Sequence, residues 1–138
     1  MIRIEPDAWE VMVAEGRRTF PNECCGAMLG DVEDGVKIVR VAMPLRNSFS
    51  GSQATFYELS KDDFLSADRE AGRLNLNVIG FYHSHPDHDA YFSASDLQHS
   101  CPWYTYVVLS IRRGEFDHAN SWLPDPDAGK AEKEELIY

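Results

Sequence analysis

Cysteine is scarce in this chain, and basic residues are outnumbered. Three cysteines stand among 138 residues, an odd number that argues against a disulfide framework, and no C-x-x-C spacing marks a metal knuckle or a redox dithiol. Cys24 and Cys25 are adjacent in an apolar stretch and Cys101 precedes Pro102. They read as thiols used as small hydrophobes, as in a reducing compartment. Thirteen Lys and Arg face 23 Asp and Glu, for a net charge of −10. Phosphate contacts need clustered cations, so nucleic acid is excluded as a partner. The two dense basic pairs, Arg17-Arg18 and Arg112-Arg113, read as solvated helix-end and turn residues, and the overall charge favours a partner with a basic face. No apolar run approaches the roughly 18 residues of a membrane span. The opening Met1-Ile2-Arg3-Ile4-Glu5-Pro6 has neither the apolar core nor the cleavage site of a signal peptide. Cytoplasmic residence without membrane association is the expectation.

What is present fits one domain with a core of its own. The apolar fraction is 43%, with Trp, Tyr and Phe spread along the chain, and the length suffices without staples. There is no internal repeat or linker. Asp7 to about Arg18 predicts a helix, with Asp7 as cap and Trp9, Met12 and Val13 on one face. Cys24 to Gly30 and Val36 to Met43 predict strands joined by a turn over Asp31 to Gly35, and Phe56-Tyr57-Glu58 a short strand. Ser60, Asp63 and the Leu59–Phe64 pair mark a second helix start, running to about Arg73. Leu76 to Tyr82 is nearly all apolar, as a strand covered on both faces would be. A third helix starts at Ser93, Trp103 to Ile111 is another buried strand, and Glu115 to Leu123 is a more polar one. Pro124-Asp125-Pro126-Asp127 is expected to break structure. The domain is thus expected over residues 1–123, with 124–138 a tail that frays or forms a short final strand. Helices alternate irregularly with strands, which gives the α/β class: a mixed central sheet with helices on both faces.

The densest chemical signal is His83-Ser84-His85-Pro86, six residues, then Ser93-Ala94-Ser95-Asp96. Two histidines two apart at a strand end project to the same side, and a carboxylate one turn beyond Ser93 can swing in as a third ligand. Two imidazoles and a carboxylate, with a fourth position left to water, form the open set of a catalytic zinc. The same donors suit manganese, iron or nickel. Taken alone, Ser93-Ala94-Ser95-Asp96 is equally a capping box that needs no metal, and a single histidine would be an ordinary strand-end residue. The pairing at matched distance favours the metal, and a capped turn would hold a ligand rigidly.

This H-x-H-P-x6-S-x-x-D pattern resembles the signature of the JAMM (MPN+) metalloproteases. The run Glu23-Cys24-Cys25-Gly26 resembles their small free-standing prokaryotic type, of the CysO-cysteine peptidase and desampylase kind. Phe92 and Ala94 stand where relatives often carry prolines, a departure that removes no ligand. The resemblance covers the chain from the first helix to about Trp122 and implies a single MPN domain with a cytidine-deaminase-like sandwich. It further implies zinc on His83, His85 and Asp96, Glu23 as the group that carries the proton, and Ser93 as a donor to the oxyanion. The implied substrate is a ubiquitin-like or sulfur-carrier (ThiS- or MoaD-like) protein, cut after its carboxyl-terminal glycines.

Other readings stay open from residues alone. A non-catalytic MPN scaffold would typically lack the ligands, and a general zinc metallopeptidase would keep them. A zinc nucleoside deaminase would need H-x-E and P-C-x-x-C, and neither is present. Asp87, His88 and Asp89 read as a solvated loop tip, His99 and His118 as ordinary surface residues, and Asn47 as part of a polar loop.

Overall fold

A computed structural model describes residues 1–138. β1 (Ile2–Ile4) precedes helix α1 (Pro6–Thr19), and β2 (Cys25–Glu33) and β3 (Val36–Leu45) follow. Next come α2 (Lys61–Arg73), β4 (Asn77–Pro86), the short α3 (Ala94–Gln98), β5 (Thr105–Arg112), β6 (Glu115–Asp125), β7 (Lys130–Glu134) and β8 (Leu136–Ile137). All eight strands join one sheet in the order β7-β6-β5-β4-β2-β3-β1-β8. Pairings are mixed: β4 runs parallel to β5 and antiparallel to β2. The α/β class with a mixed sheet is therefore as expected. No helix is long and apolar enough to cross a membrane.

The two sheet faces carry separate cores. Ala8 and Met12 of α1 pack on Ile4, Met28, Tyr82, Leu109 and Ile111, while Ala67 and Ala71 of α2 pack on Ala27, Leu29, Phe81 and Tyr106. Alternation along β4 explains this split, since Phe81 and Tyr82 must point to opposite faces. The same alternation sends His83 and His85 to the α2 side and Ser84 to the α1 side.

Local signals account for most boundaries. Ser60 and Asp63 form the reciprocal capping box at α2, and Leu59 and Phe64 pack on the same core cluster. β2 and β3 turn through Asp34 and Gly35, both at positive φ (51° and 79°), the backbone that a two-residue hairpin of right-handed twist requires. Four expectations need correction. Asp7 is not the cap of α1: Glu5 holds that position without a side-chain capping bond and Pro6 starts the helix, because a fixed φ and a missing N–H suit the first helical site. The Phe56-Tyr57-Glu58 segment is not a strand, its backbone being held by Asn47 instead of a ladder. Pro124 does not break β6, since it lies beyond the last β5 partner, where pairing is one-sided. Trp103 and Tyr104 precede β5 and do not belong to it.

Residues 124–138 fold back onto the sheet. Only Glu135 separates β7 at one edge from β8 at the other. One residue spans at most about 3.6 Å, so the edges must meet and the sheet must curl. Buried Glu134 joins them, accepting from Lys37 Nζ at 3.0 Å, Ser121 Oγ at 3.3 Å and Thr105 Oγ1 at 3.4 Å. This polar seam sits beside the start of β5, away from the carboxyl end of β4.

Gly80 faces Thr105 across the β4–β5 pair, and a Cβ there would stand 1.8 Å from the Thr105 carbonyl oxygen. Backbone cannot rotate away, so Gly80→Ala should destabilise the fold by about 1–3 kcal/mol, read as a lower urea midpoint at unchanged slope.

Candidate metal centre

His83 and His85 lie in the last turn of the β4 ladder, opposite Val108 and Ser110 of β5, and both are buried. Their Nε2 atoms are 3.2 Å apart. Asp96 is buried on the first turn of α3, its Oδ1 3.2 Å from His83 Nε2 and its Oδ2 3.2 Å from His85 Nε2. Glu23 stands just before β2, and a carboxylate oxygen of it lies within 4.8 Å of one nitrogen of each histidine ring. The structure therefore brings together the three residues expected as ligands from their type and spacing and Glu23, which the resemblance implied.

Each is held by its own local device. β4 alternation aims both rings. Ser93 Oγ accepts from the Asp96 N–H at 2.9 Å while the Ser93 N–H donates to Asp96 Oδ2 at 3.0 Å, so the capping box and the convergence on the histidines coexist. Ser93 lines the cleft, and the hydrogen of its hydroxyl remains free to donate. Glu23 is fixed through its backbone: its N–H donates to the Gln53 carbonyl at 2.7 Å, and its carbonyl accepts from Asn47 Nδ2 at 3.4 Å. Its carboxylate instead lines a cleft of about 240 Å³ with His85, Ser93, Asp96, Thr55 and Tyr91.

The donor set suits a divalent cation. His85 Nδ1 donates to the Asp89 carbonyl at 2.9 Å, which turns Nε2 inward as the ligand atom. It faces the Asp96 carboxylate and a second imidazole, a converging donor set that a cation completes. A tetrahedral ion at about 2.0–2.1 Å from its ligands needs edges of about 3.3–3.4 Å between them, close to the 3.2 Å between the two Nε2 atoms.

Electrostatics agree with that arrangement. Burial works against the Asp96 charge, but the His83 ring, then His85 and the Ser93 N–H, hold the carboxyl well below its usual range. Burial lowers His83, although Asp96 opposes the shift. Burial, and after it the Asp96 charge, pushes Glu23 up to about 9. Cys24 is buried and raised to about 12 by desolvation, an inert thiol, and no cysteine is bonded to another.

The loop after β4 has the solvated side chains expected of it and one backbone contact to the site. Asp87, His88 and Asp89 are exposed, with Asp87 accepting from the Arg113 N–H at 2.8 Å and Asp89 paired with Arg112. It is the Asp89 backbone that reaches a histidine. His99 is exposed and packs edge-on to Phe56, with centroids 5.2 Å apart. Asn47 and Tyr57 were not assigned roles from residue type. Asn47 also accepts from the Phe49 and Glu58 N–H groups, and Tyr57 stacks on His83 at 4.5 Å. An asparagine amid Ser and Gly was the one available signal for such a loop organiser.

An α/β domain with two histidines and two carboxylates buried at the carboxyl end of a central strand is the class that fold and site define. The chain belongs to the family of prokaryotic homologues of the JAB domain, whose model matches residues 5–124. It is similar to the desampylase of Haloferax volcanii, 33% identical over 91 residues, which are 65% of this chain and 63% of that protein. It is also similar to the CysO-cysteine peptidase of Mycobacterium tuberculosis, 31% identical over 110 residues, covering 79% and 73% of the two chains. A Desulfitobacterium hafniense protein solved in solution superposes with a TM-score of 0.86 at 27% identity, covering 99% of this chain and 92% of that one.

The raised Glu23 has a stability consequence in metal-free protein. A carboxyl raised on folding adds stability below its unfolded pKa, and that stability is lost as pH climbs towards about 9. Glu23→Gln removes the cost, so the metal-free variant should melt higher than wild type in mildly alkaline buffer. The gap should close as pH falls to the ordinary carboxylate range, as scanning calorimetry across pH will show.

Proposed function

We propose that the chain is a zinc-dependent peptidase or isopeptidase that cuts after the carboxyl-terminal glycines of a ubiquitin-like or sulfur-carrier protein. The supporting observation is the convergence of His83, His85 and Asp96 at 3.2 Å with the Glu23 carboxylate beside them. Family membership over residues 5–124 and two relatives named as a desampylase and a CysO-cysteine peptidase support the substrate class.

In this reading His83, His85 and Asp96 hold the ion. Zinc there supplies a Lewis acid and lowers the pKa of water from about 15.7 towards about 7. Glu23 takes the proton of the attacking water on its carboxylate oxygen and hands it to the leaving nitrogen, a role worth about 10²–10⁴ in rate. A nearby cation favours the ionised form of Glu23, which readies it as base. The Ser93 hydroxyl points its free hydrogen at the carbonyl oxygen as charge develops there. No side chain acts as nucleophile, so no acyl-enzyme forms.

The cleft favours a thin substrate. Its volume of about 240 Å³ is below the roughly 300–1,000 Å³ of sites shaped for small ligands. An extended tail can enter as an added strand, and glycine lets its carbonyl approach closely. Residues 1–123 carry the whole catalytic set in this proposal, and 124–138 act structurally.

Two measurements test the reading. Protein purified without chelator should carry about one zinc per chain by elemental analysis, and a His83→Ala/His85→Ala double variant should carry none. Intact-mass spectrometry of carrier proteins bearing carboxyl-terminal extensions should find a cut directly after Gly-Gly. Glu23→Gln should abolish it while retaining zinc, and Ser93→Ala should slow it by about 10²–10³. Comparable cleavage of unrelated unfolded peptides would replace this substrate class with a general metallopeptidase, and absence of zinc would remove the mechanism.

A further inference from the structure

Strand β6 sits behind the loop that follows β4 and contributes nothing to the cleft lining. His118, Asn120 and Trp122 alternate along it and so share one face. All three end on the backbone of one residue, Ala90, which is fully buried. The Ala90 N–H donates to His118 Nε2 at 3.1 Å. Its carbonyl accepts from Asn120 Nδ2 at 3.1 Å and from Trp122 Nε1 at 3.0 Å. His118 Nδ1 lies 2.6 Å from Asp117 Oδ2, which places a ring proton on Nδ1 and leaves Nε2 to accept.

Ala90 is a strategic point to grip. The residue before it, Asp89, gives its carbonyl to His85 Nδ1 at 2.9 Å. Two residues after it, Phe92 stacks over the Trp122 ring, with centroids 6.4 Å apart at 27°, and leads directly into Ser93 and the capped turn of Asp96. The loop has no regular structure of its own, and its Asp87, His88, Asp89 and Tyr91 side chains are exposed. Its other ties include the Asp87 N–H to the Ile111 carbonyl at 2.7 Å, the Ser110 Oγ bond to the His88 carbonyl at 2.6 Å, the Tyr91 ring against His85 at 4.9 Å and the exposed contacts of Arg112 and Arg113 with Asp89 and Asp87. Exposed ion pairs fix geometry weakly, whereas buried Ala90 has both its N–H and its carbonyl bonded, on two successive peptide groups, and cannot shift without leaving one unsatisfied.

We propose that His118, Asn120 and Trp122 are positioning residues that hold the Asp89 carbonyl on His85 Nδ1 by clamping Ala90, and so present His85 Nε2 to the metal. The metal part rests on the reading of the site given above. The ring part does not, because the bond to the Asp89 carbonyl is made by His85 Nδ1, the ring nitrogen that faces away from the proposed ion.

Trp122→Phe keeps an aromatic ring on Phe92 and removes one donor, and Asn120→Leu keeps the bulk and removes the other. In metal-free full-length protein, nitrogen-15 NMR of the imidazoles should show wild-type His85 protonated at Nδ1, with a slowly exchanging proton. The double variant should lose that proton signal and average its tautomers, while amide shifts of β2 and β5 stay in place. Zinc affinity by chelator competition should fall about tenfold or more, with kcat lowered and KM unchanged. Trp122→Phe alone should move the same readouts less far, and it decides the matter if the double variant does not fold. A folded variant with the wild-type His85 signal and wild-type zinc affinity overturns the clamp. Loss of the His85 signal in a protein that binds no zinc even as wild type would keep the clamp and discard the metal reading.

Discussion

Glu23, His83, His85 and Asp96 are buried together at the end of one strand, and desolvating ionisable groups in one place is the constraint to which the rest of the molecule answers. Asp96 keeps its charge because two imidazoles and a backbone N–H surround it. Burial pulls His83 down against the pull of Asp96. Glu23 is left to resolve the conflict by holding its proton when no cation is near. A cation among these groups reverses that choice, because opposite charge favours the carboxylate. Acid–base behaviour and metal affinity are thus one property of this cluster.

The surroundings raise the stakes. An apolar cavity of about 230 Å³, lined by Phe56, Leu59, Phe64, Phe81 and Tyr106, lies against Asp96, and Tyr57 covers the His83 ring. Such neighbours lower the local dielectric, which strengthens every polar contact that is made and penalises each one that is not. Precise support is then a requirement of the site. Glu23 is braced by Asn47 and Gln53, and Asp96 by its own helix cap.

The fold divides two tasks between its ends. At one end β7 and β8 close the curled sheet, and Glu134 satisfies Lys37, Thr105 and Ser121 across the seam. At the other, the chain leaves β4 for a long crossover to parallel β5, and loops can part to admit a ligand there. Sites in open α/β sheets favour the carboxyl ends of strands for this reason. Here the crossover itself carries Asp96 back to the histidines that begin it.

What could be read in the sequence depended on residues a few positions apart. Period two along β4 put His83 and His85 on one face, Ser60 with Asp63 and Ser93 with Asp96 each signalled a cap, and an apolar run marked the central strand. Those couplings are local, so residue type and spacing determined them. Tertiary structure decided the rest. The Phe56-Tyr57-Glu58 segment had strand composition, yet an asparagine side chain held it instead of a ladder. The last residues announced at most a short final strand at Leu136-Ile137-Tyr138, where β8 lies, whereas the charged Lys130–Glu134 run gave no sign of β7, which exists only by pairing with β6. His118 looked like a surface histidine, and Ala90 like nothing in particular. Their bond, and the Trp122 bond spanning 32 residues, exist only once β6 lies behind the loop. A backbone carbonyl has no signature in sequence, because every residue carries one and only packing decides what it meets.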